Sequence, residues 1–526
     1  MGLEEELSRY NWVKSKAFEA YEKGKVEKAL GLIYVAATYA WKVHLGLWYD
    51  EDLENLLSVI GRKITGEVYR STHPTGKIKR RVAHIVTTLY EIGGHSRVIK
   101  HFLQALNETC EQYVYLTNTE RPPSKVEWLE DLRKKGVKIR SLSYNDHFSN
   151  RIKQLVEYLE RDSPEKVILY IHPNDVIAVA ALNSLKKKPY VLFFNHADVS
   201  FWLGRNVLDV LLEWRSQSLA YSKKYRKIDN ACVIPLIGDV EVKKQLKEKI
   251  KKGFHIPTDA TVSITIGKYQ KVMGDPNWDY FKAIEQILKE EPNHYHISVA
   301  VPNKLSDDPD IRKRFIIMEA TPHVEPVYNV ADFLIETFPA YGGTVRVEAM
   351  MYQLPIVAIH NKNFSLLSDC DALPANYPLV ACNAEELIRC SSKLIKDENL
   401  RTKLGVMLFN YYKSNFDYKK MRSLIISTVT NRPNIPFPME ECEYDLKYVY
   451  NLTKVWASTS ISKELLQYAS RKPSFSLKDR IGFYSTGIIN GDFPSYRLKA
   501  KGLVFTVIGS GCRFVRTLLW EIHPVT

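Results

Sequence analysis

With 526 residues, 45% of them hydrophobic and 25% charged, the chain is long enough for several domains and apolar enough for real cores. A net charge of +14 points to anionic partners, whether nucleic acid, an anionic membrane surface or acidic substrates. Seven scattered cysteines without a C-x-x-C pair argue for free thiols in a reducing compartment and against a structural zinc. The polar, acidic start is no signal peptide and no uncharged run approaches roughly 18 apolar residues, so a cytoplasmic protein is expected.

Residues 1–72 read as a helical N-terminal cap. Leu30, Ile33, Ala37 and Trp41 share one helical face, and Asp50 is placed to cap a helix carrying Leu53, Leu56, Leu57 and Ile60. AYEKGKVEKAL resembles one helix pair of a tetratricopeptide array, but no second copy follows at the required period. Trp41 and His44 are expected to pack against the next domain. HPTGKIKRR, from His73, is a basic linker.

Residues 73–240 read as a Rossmann-like domain. A strand from Val82 leads to a turn at Gly93 and Gly94, then to a helix with Val98, Ile99, Phe102 and Leu103 on its apolar face. His95 and Arg97 fall on the stretch that faces a ligand in such a unit. Further apolar runs (YVYLT, VKIRSL, KVILYIH, PYVLFFNH, NACVIPL) alternate with helical patterns such as IKQLVEYLERD and DVIAVAALNSLK. Two of these strands end in histidine, at His172 and His196. Side chains just past the carboxyl ends of parallel strands enter the ligand crevice. His196 beside Asp198 is therefore expected at a site, with Phe201 and Trp202 serving either as a sugar platform or as interdomain packing. The lysine-rich stretch after Val242 reads as a solvated helix, since it lacks the aromatics that stack on nucleic acid.

Residues 241–430 read as a second Rossmann-like domain. Its first strand ends at Gly267, and Lys268 and Lys271 follow at once, placed to meet a diphosphate. ADFLIET, FPAYGG, TVRVEAMMYQ and PIVAIH then spell strand, glycine turn, helix and strand. Such a unit offers helix N-terminal N–H groups to an anion. Gly342 and Gly343 allow close backbone approach and Thr344 adds a hydroxyl. Glu348, one turn on, suits a ribose better than a phosphate. The run from Ala384 to about residue 427 reads as consecutive helices. Residues 431–526 form an extension of unread role, Pro-rich at first and then mixed aromatic and β-like; Arg513 and Arg516 interrupt its apolar run.

Taken together, the Gly93–Gly94 turn, the Lys268–Lys271 pair and the Gly342–Gly343–Thr344 turn with Glu348 resemble the GT-B glycosyltransferases, over about residues 80 to 430. The resemblance implies an α/β fold of two Rossmann-like domains facing a cleft, the first for the acceptor and the second for a nucleotide-sugar donor, with UDP or GDP as the nucleotide. It implies Lys268, Lys271, Gly342, Gly343 and Thr344 on the diphosphate and Glu348 on the ribose. His196 with Asp198, or His95, would orient or deprotonate the acceptor hydroxyl. Gly93, Gly94, Arg97 and Trp202 would line the acceptor side. Many retaining members carry a further Glu where this chain has Ala340, and the GGT wording is closer to inverting members, so the stereochemical outcome stays open. Fixed lysines and the lack of an Asp-x-Asp set between apolar strand residues imply no metal and no cofactor beyond the substrate. The acceptor is a glycan, a lipid-linked glycan or a protein, and a basic chain of this kind can touch the inner face of an anionic membrane. A sugar-nucleotide 2-epimerase and a non-catalytic transferase-like partner are the alternatives.

Overall fold

The computed structural model describes residues 2–66, 80–91, 93–121, 125–238, 242, 244–275, 278–301, 307–368, 372–431 and 442–458, with three short strands between 496 and 515. The linker read at 73–79, most of 239–243 and the Pro-rich stretch 432–441 lie outside these residues.

Seven strands make the first sheet: β1 (Arg80–Val86), β2 (Cys110–Leu116), β3 (Lys138–Ser141), β4 (Lys166–Tyr170), β5 (Tyr190–Phe194), β6 (Val210–Glu213) and β7 (Ala231–Val233). They run in parallel in the order β3-β2-β1-β4-β5-β6-β7. Six strands make the second: β8 (Thr261–Ile266), β9 (His294–Val299), β10 (Phe315–Met318), β11 (Phe333–Ile335), β12 (Ile356–Ile359) and β13 (Val380–Ala381). These too are parallel, in the order β10-β9-β8-β11-β12-β13. Runs such as YVLFF and IVAI, buried on both faces, are what a sheet covered on both sides selects. Strand order reverses between β1 and β4 and again between β8 and β11, which opens a crevice at the carboxyl ends of those strands.

The N-terminal helices are part of the first domain's interior. Helix Val26–Lys42 is buried nearly all round. It shares one core with Ile85, Leu169, Val191 and Phe193 of the sheet and with helices Phe148–Asp162 and Val176–Ser184. Asp50 caps helix Glu51–Thr65 through the Leu53 N–H at 3.1 Å, and also accepts from the Tyr10 hydroxyl at 2.7 Å. Gly61 lets this helix lie directly on Val176–Ser184, because a Cβ there would stand 2.2 Å from the Ala180 carbonyl oxygen. Backbone cannot yield as a side-chain end does, so Gly61→Ala is expected to cost about 1–3 kcal/mol and lower the melting temperature, read by calorimetry. An unchanged melting temperature would show the helices free to separate.

Two later helices cross back over the domain boundary. Tyr418–Thr430 follows the second domain yet buries Met421, Ile425 and Val429 against the first domain's Ile99, Phe102 and Leu106. Leu446–Ser458 touches both domains. Thr453 Oγ1 accepts from the His44 N–H at 2.9 Å and Lys454 pairs with Glu6 at 3.3 Å. On the other side Trp456 donates to the Met273 carbonyl at 2.9 Å, and Tyr448 donates to Asp275 at 2.5 Å. Trp48, Tyr221, Phe364, Tyr448 and Val449 form a hydrophobic junction between the same partners. Strands β14 (Tyr496–Ala500), β15 (Leu503–Ile508) and β16 (Gly511–Val515) make a separate antiparallel sheet. Among the described residues no helix is long and apolar enough to cross a membrane.

Candidate functional site

The first wall of the cleft is built at the carboxyl ends of β1, β4 and β5, which are neighbours in the sheet though distant in sequence. After β1, Gly93 takes φ +142°, a conformation closed to L side chains, and turns the chain into helix Gly94–Leu106, whose first turn carries His95 and Arg97. His172 follows β4 and His196 follows β5. The three imidazoles converge: ring centroids are 4.0 Å apart for His95–His196, 5.5 Å for His95–His172 and 5.7 Å for His172–His196. His172 is held firmly. Its N–H donates to Thr87 Oγ1 at 2.7 Å, that hydroxyl donates to Asp175 at 2.6 Å, and its Nδ1 sits 2.8 Å from Glu120 Oε2.

Among the described residues neither ring nitrogen of His95 has a hydrogen-bond partner, nor has His196 Nδ1, although all three are buried. Burial, then the neighbouring His196 and His172, holds the His95 pKa well below the usual histidine range. The Tyr170 carbonyl opposes this without reaching hydrogen-bond geometry. Burial, then His172, brings His196 down to about 3. Both rings are neutral at physiological pH and present lone pairs rather than charge.

Two expected residues sit elsewhere. Asp198 is not coupled to His196: its carboxylate is taken by Arg215 Nε at 2.7 Å and Ser218 Oγ at 2.6 Å, both from the segment after β6. A buried carboxylate takes the strongest fixed donor within reach, and the guanidinium is that donor. Trp202 is 1% exposed and lies against Phe193 with ring centroids 4.5 Å apart, in the core under the N-terminal helices. It offers no platform to a sugar, and Phe201 is buried with it.

The second wall follows β8 and β11. Lys268 is exposed. Lys271 is half-buried and donates to the Tyr341 carbonyl at 2.6 Å. Burial, then Lys268 and Arg215, brings the Lys271 pKa down to about 8, against the pull of Glu336. Its ammonium lies 3.8 Å from where a Cβ on Gly342 would stand, so cation and glycine turn form one surface. Helix Gly343–Met351 begins at that turn with Thr344 in its first turn. Beneath it Glu336 accepts from Arg346 Nε at 2.6 Å and Nη2 at 2.9 Å and from the Ile359 N–H at 3.1 Å, a brace that fixes the turn against β12. Glu348 accepts from the Tyr328 hydroxyl at 2.5 Å and makes an ion pair with Arg97 of the opposite wall.

The two glycine turns meet. A Cβ on Gly94 would lie 3.1 Å from Thr344 Cγ2, and one on Gly343 would lie 2.8 Å from Leu236 and 2.9 Å from Trp214. Glycine at both positions lets the domains close on each other. The cleft thus brings together His95, Arg97, His196, Lys268, Lys271, Gly342, Gly343, Thr344 and Glu348. Arg215, its guanidinium 4.2 Å from the Trp214 ring and 5.8 Å from that of Tyr341, adds a further cation that the sequence reading missed. Its only sequence signal is a lone Arg at a strand exit.

No protein-family model matches the chain, and no curated protein matches it in sequence. Solved structures do match in shape. Sucrose-phosphate synthase from Thermosynechococcus elongatus superposes with a TM-score of 0.50 at 12% identity, over 67% of this chain and 98% of that one. HepE of Anabaena, in complex with UDP and glucose, gives 0.51 at 11% identity, over 67% and 99%. A glycosyltransferase from Rickettsia africae ESF-5 gives 0.50 at 13% identity, over 67% and 100%. Two parallel sheets, each with its strand order reversing at the cleft, and this likeness in shape establish the chain as a protein of the GT-B fold.

Proposed function

We propose that the protein is a glycosyltransferase that moves a sugar from a nucleotide-sugar donor, UDP- or GDP-linked, to an acceptor hydroxyl. The observation that carries this reading is the placement of Lys268, Lys271 and the Gly342–Thr344 turn at one strand-order reversal, closed against a second glycine turn at the other. Glycosyl transfer expels a nucleoside diphosphate on which negative charge grows as the bond breaks. Fixed cations in a water-poor cleft stabilise that charge more than water does, and here they leave no task for a metal at the diphosphate. The N–H groups opening helix Gly343–Met351 and the Thr344 hydroxyl complete the cradle. Glu348 is positioned for the ribose hydroxyls. The acceptor enters from the histidine wall, where His95 and His196 face its hydroxyl. The match to HepE, whose structure holds UDP and glucose, supports a nucleotide-sugar donor.

Incubation with a panel of UDP- and GDP-sugars is expected to release nucleoside diphosphate at a rate that rises when glycan or lipid-linked acceptors are added. An epimerised sugar without release would make the protein an epimerase. Tight binding with neither outcome would make it a non-catalytic partner.

A further inference from the structure

Three histidines from three different strand ends point at one another, and their hydrogen-bonding capacity is largely unused. Buried polar nitrogens are nearly always partnered, so a cluster in which His95 Nδ1, His95 Nε2 and His196 Nδ1 lack partners among the described residues calls for something to satisfy it. One candidate donor atom from each of His95, His172 and His196 lies within 4.8 Å of the other two. A tetrahedral zinc with nitrogens at about 2.0–2.1 Å needs them roughly 3.3 Å apart, so a closure of up to about 1.5 Å completes the set.

The surroundings fit a cation. His172 is 7% exposed, and Glu120 on its Nδ1 leaves Nε2 for a ligand. A carboxylate on the far nitrogen orients the ring of a metal-bound histidine and raises its basicity. The Thr87–Asp175 hydrogen bonds hold the His172 backbone in place, so one of the three ligands is rigid before any ion arrives. Three imidazoles, one backed by a carboxylate, are a borderline donor set that suits zinc rather than magnesium or calcium.

We propose that His95, His172 and His196 bind one divalent zinc-like cation at the acceptor wall, with Glu120 orienting His172 and the fourth coordination position open to the cleft. The site carries no sequence motif because its ligands come from the separate segments that follow β1, β4 and β5. Binding of the ion is independent of the transferase reading; only its use rests on that reading. There the open position would bind and orient the acceptor hydroxyl, with the histidines as ligands rather than as bases.

The test is titration of zinc into the full, metal-stripped chain against a chromophoric chelator, with cobalt(II) absorption as a measure of geometry. One equivalent is expected to bind with a tetrahedral cobalt spectrum. His172→Ala should lose at least a hundredfold in affinity, and Glu120→Gln should lose about 10–100-fold. Melting curves on each variant separate loss of the site from loss of the fold. Should His172→Ala unfold, Glu120→Gln, which keeps size and shape, decides. The proposal is overturned if the wild-type chain binds zinc no more tightly than a His95→Ala/His172→Ala/His196→Ala variant, or if Glu120→Gln leaves zinc affinity unchanged. Diphosphate release by zinc-free and zinc-loaded protein, measured beside these titrations, reports on the transferase reading separately. One bound equivalent without any release supports the site and removes the transfer.

Discussion

Lys271→Ala is expected to slow sugar transfer about a hundredfold or more while changing nucleotide-sugar affinity only severalfold. A single donor aimed at charge that develops in the transition state carries about 10²–10³ in rate. Lys271 is proposed as such a donor: its ammonium is oriented by the Tyr341 carbonyl and stands beside the Gly342 turn. Lys268, exposed and less fixed, should show the smaller effect. The depressed pKa adds a pH signature. Burial, then Lys268 and Arg215, puts the Lys271 pKa near 8 in the free protein, opposed by Glu336. Below that pH the ammonium is charged and transfer proceeds. As pH rises through about 8 the charge is lost, so kcat/KM, which reports free-enzyme ionisations, should fall. Lys271→Arg keeps the charge at every accessible pH and should remove this fall. A wild-type profile flat to pH 10 would separate Lys271 from the diphosphate.

Glu348→Ala is expected to weaken nucleoside diphosphate binding at least tenfold, with Glu348→Gln intermediate and the fold intact. A ribose gains at most two hydrogen bonds from the carboxylate, each worth roughly 1.5–3 kcal/mol. One oxygen faces Tyr328 and the other Arg97. A ribose must therefore displace Arg97, and Arg97→Ala should shift affinity in the opposite direction, towards tighter binding. Calorimetric titration of UDP and GDP into the three variants, beside their melting curves, checks both signs. If Glu348→Ala lowers the melting temperature and leaves affinity alone, the carboxylate serves only the helix N-terminus, where its effect is about 0.3–1 kcal/mol.

The wall that carries Lys268, Lys271 and the Gly342 turn was legible because its elements are local in sequence. A strand, two glycines and a helix read the same on paper as in space, and so do two lysines at a strand exit. Partnerships between segments were not legible. Asp198 and His196 are two residues apart, yet Arg215 claims the carboxylate once β6 lies beside β5. β6 itself carries little signal, since DVLLEWRS also suits a helical turn. Phe201 and Trp202 look like a sugar platform until the N-terminal helices are seen to cover them. Those helices read as a cap because amphipathic spacing does not say which sheet a face will meet. His172 was noticed at a strand end, but nothing in the sequence says that β1, β4 and β5 lie side by side and gather its ring with two others.

The helix Leu446–Ser458 has a mechanical consequence. It is fastened to Glu6 and His44 on one side and to Met273 and Asp275 on the other, with Trp48 and Phe364 joined in the hydrophobic junction beside it. Pulling the domains straight apart would break all of these attachments at once. A rotation pivoting on the helix strains them little, because displacement grows with distance from the axis. The molecule should therefore open by rotation, with the fastened side staying shut.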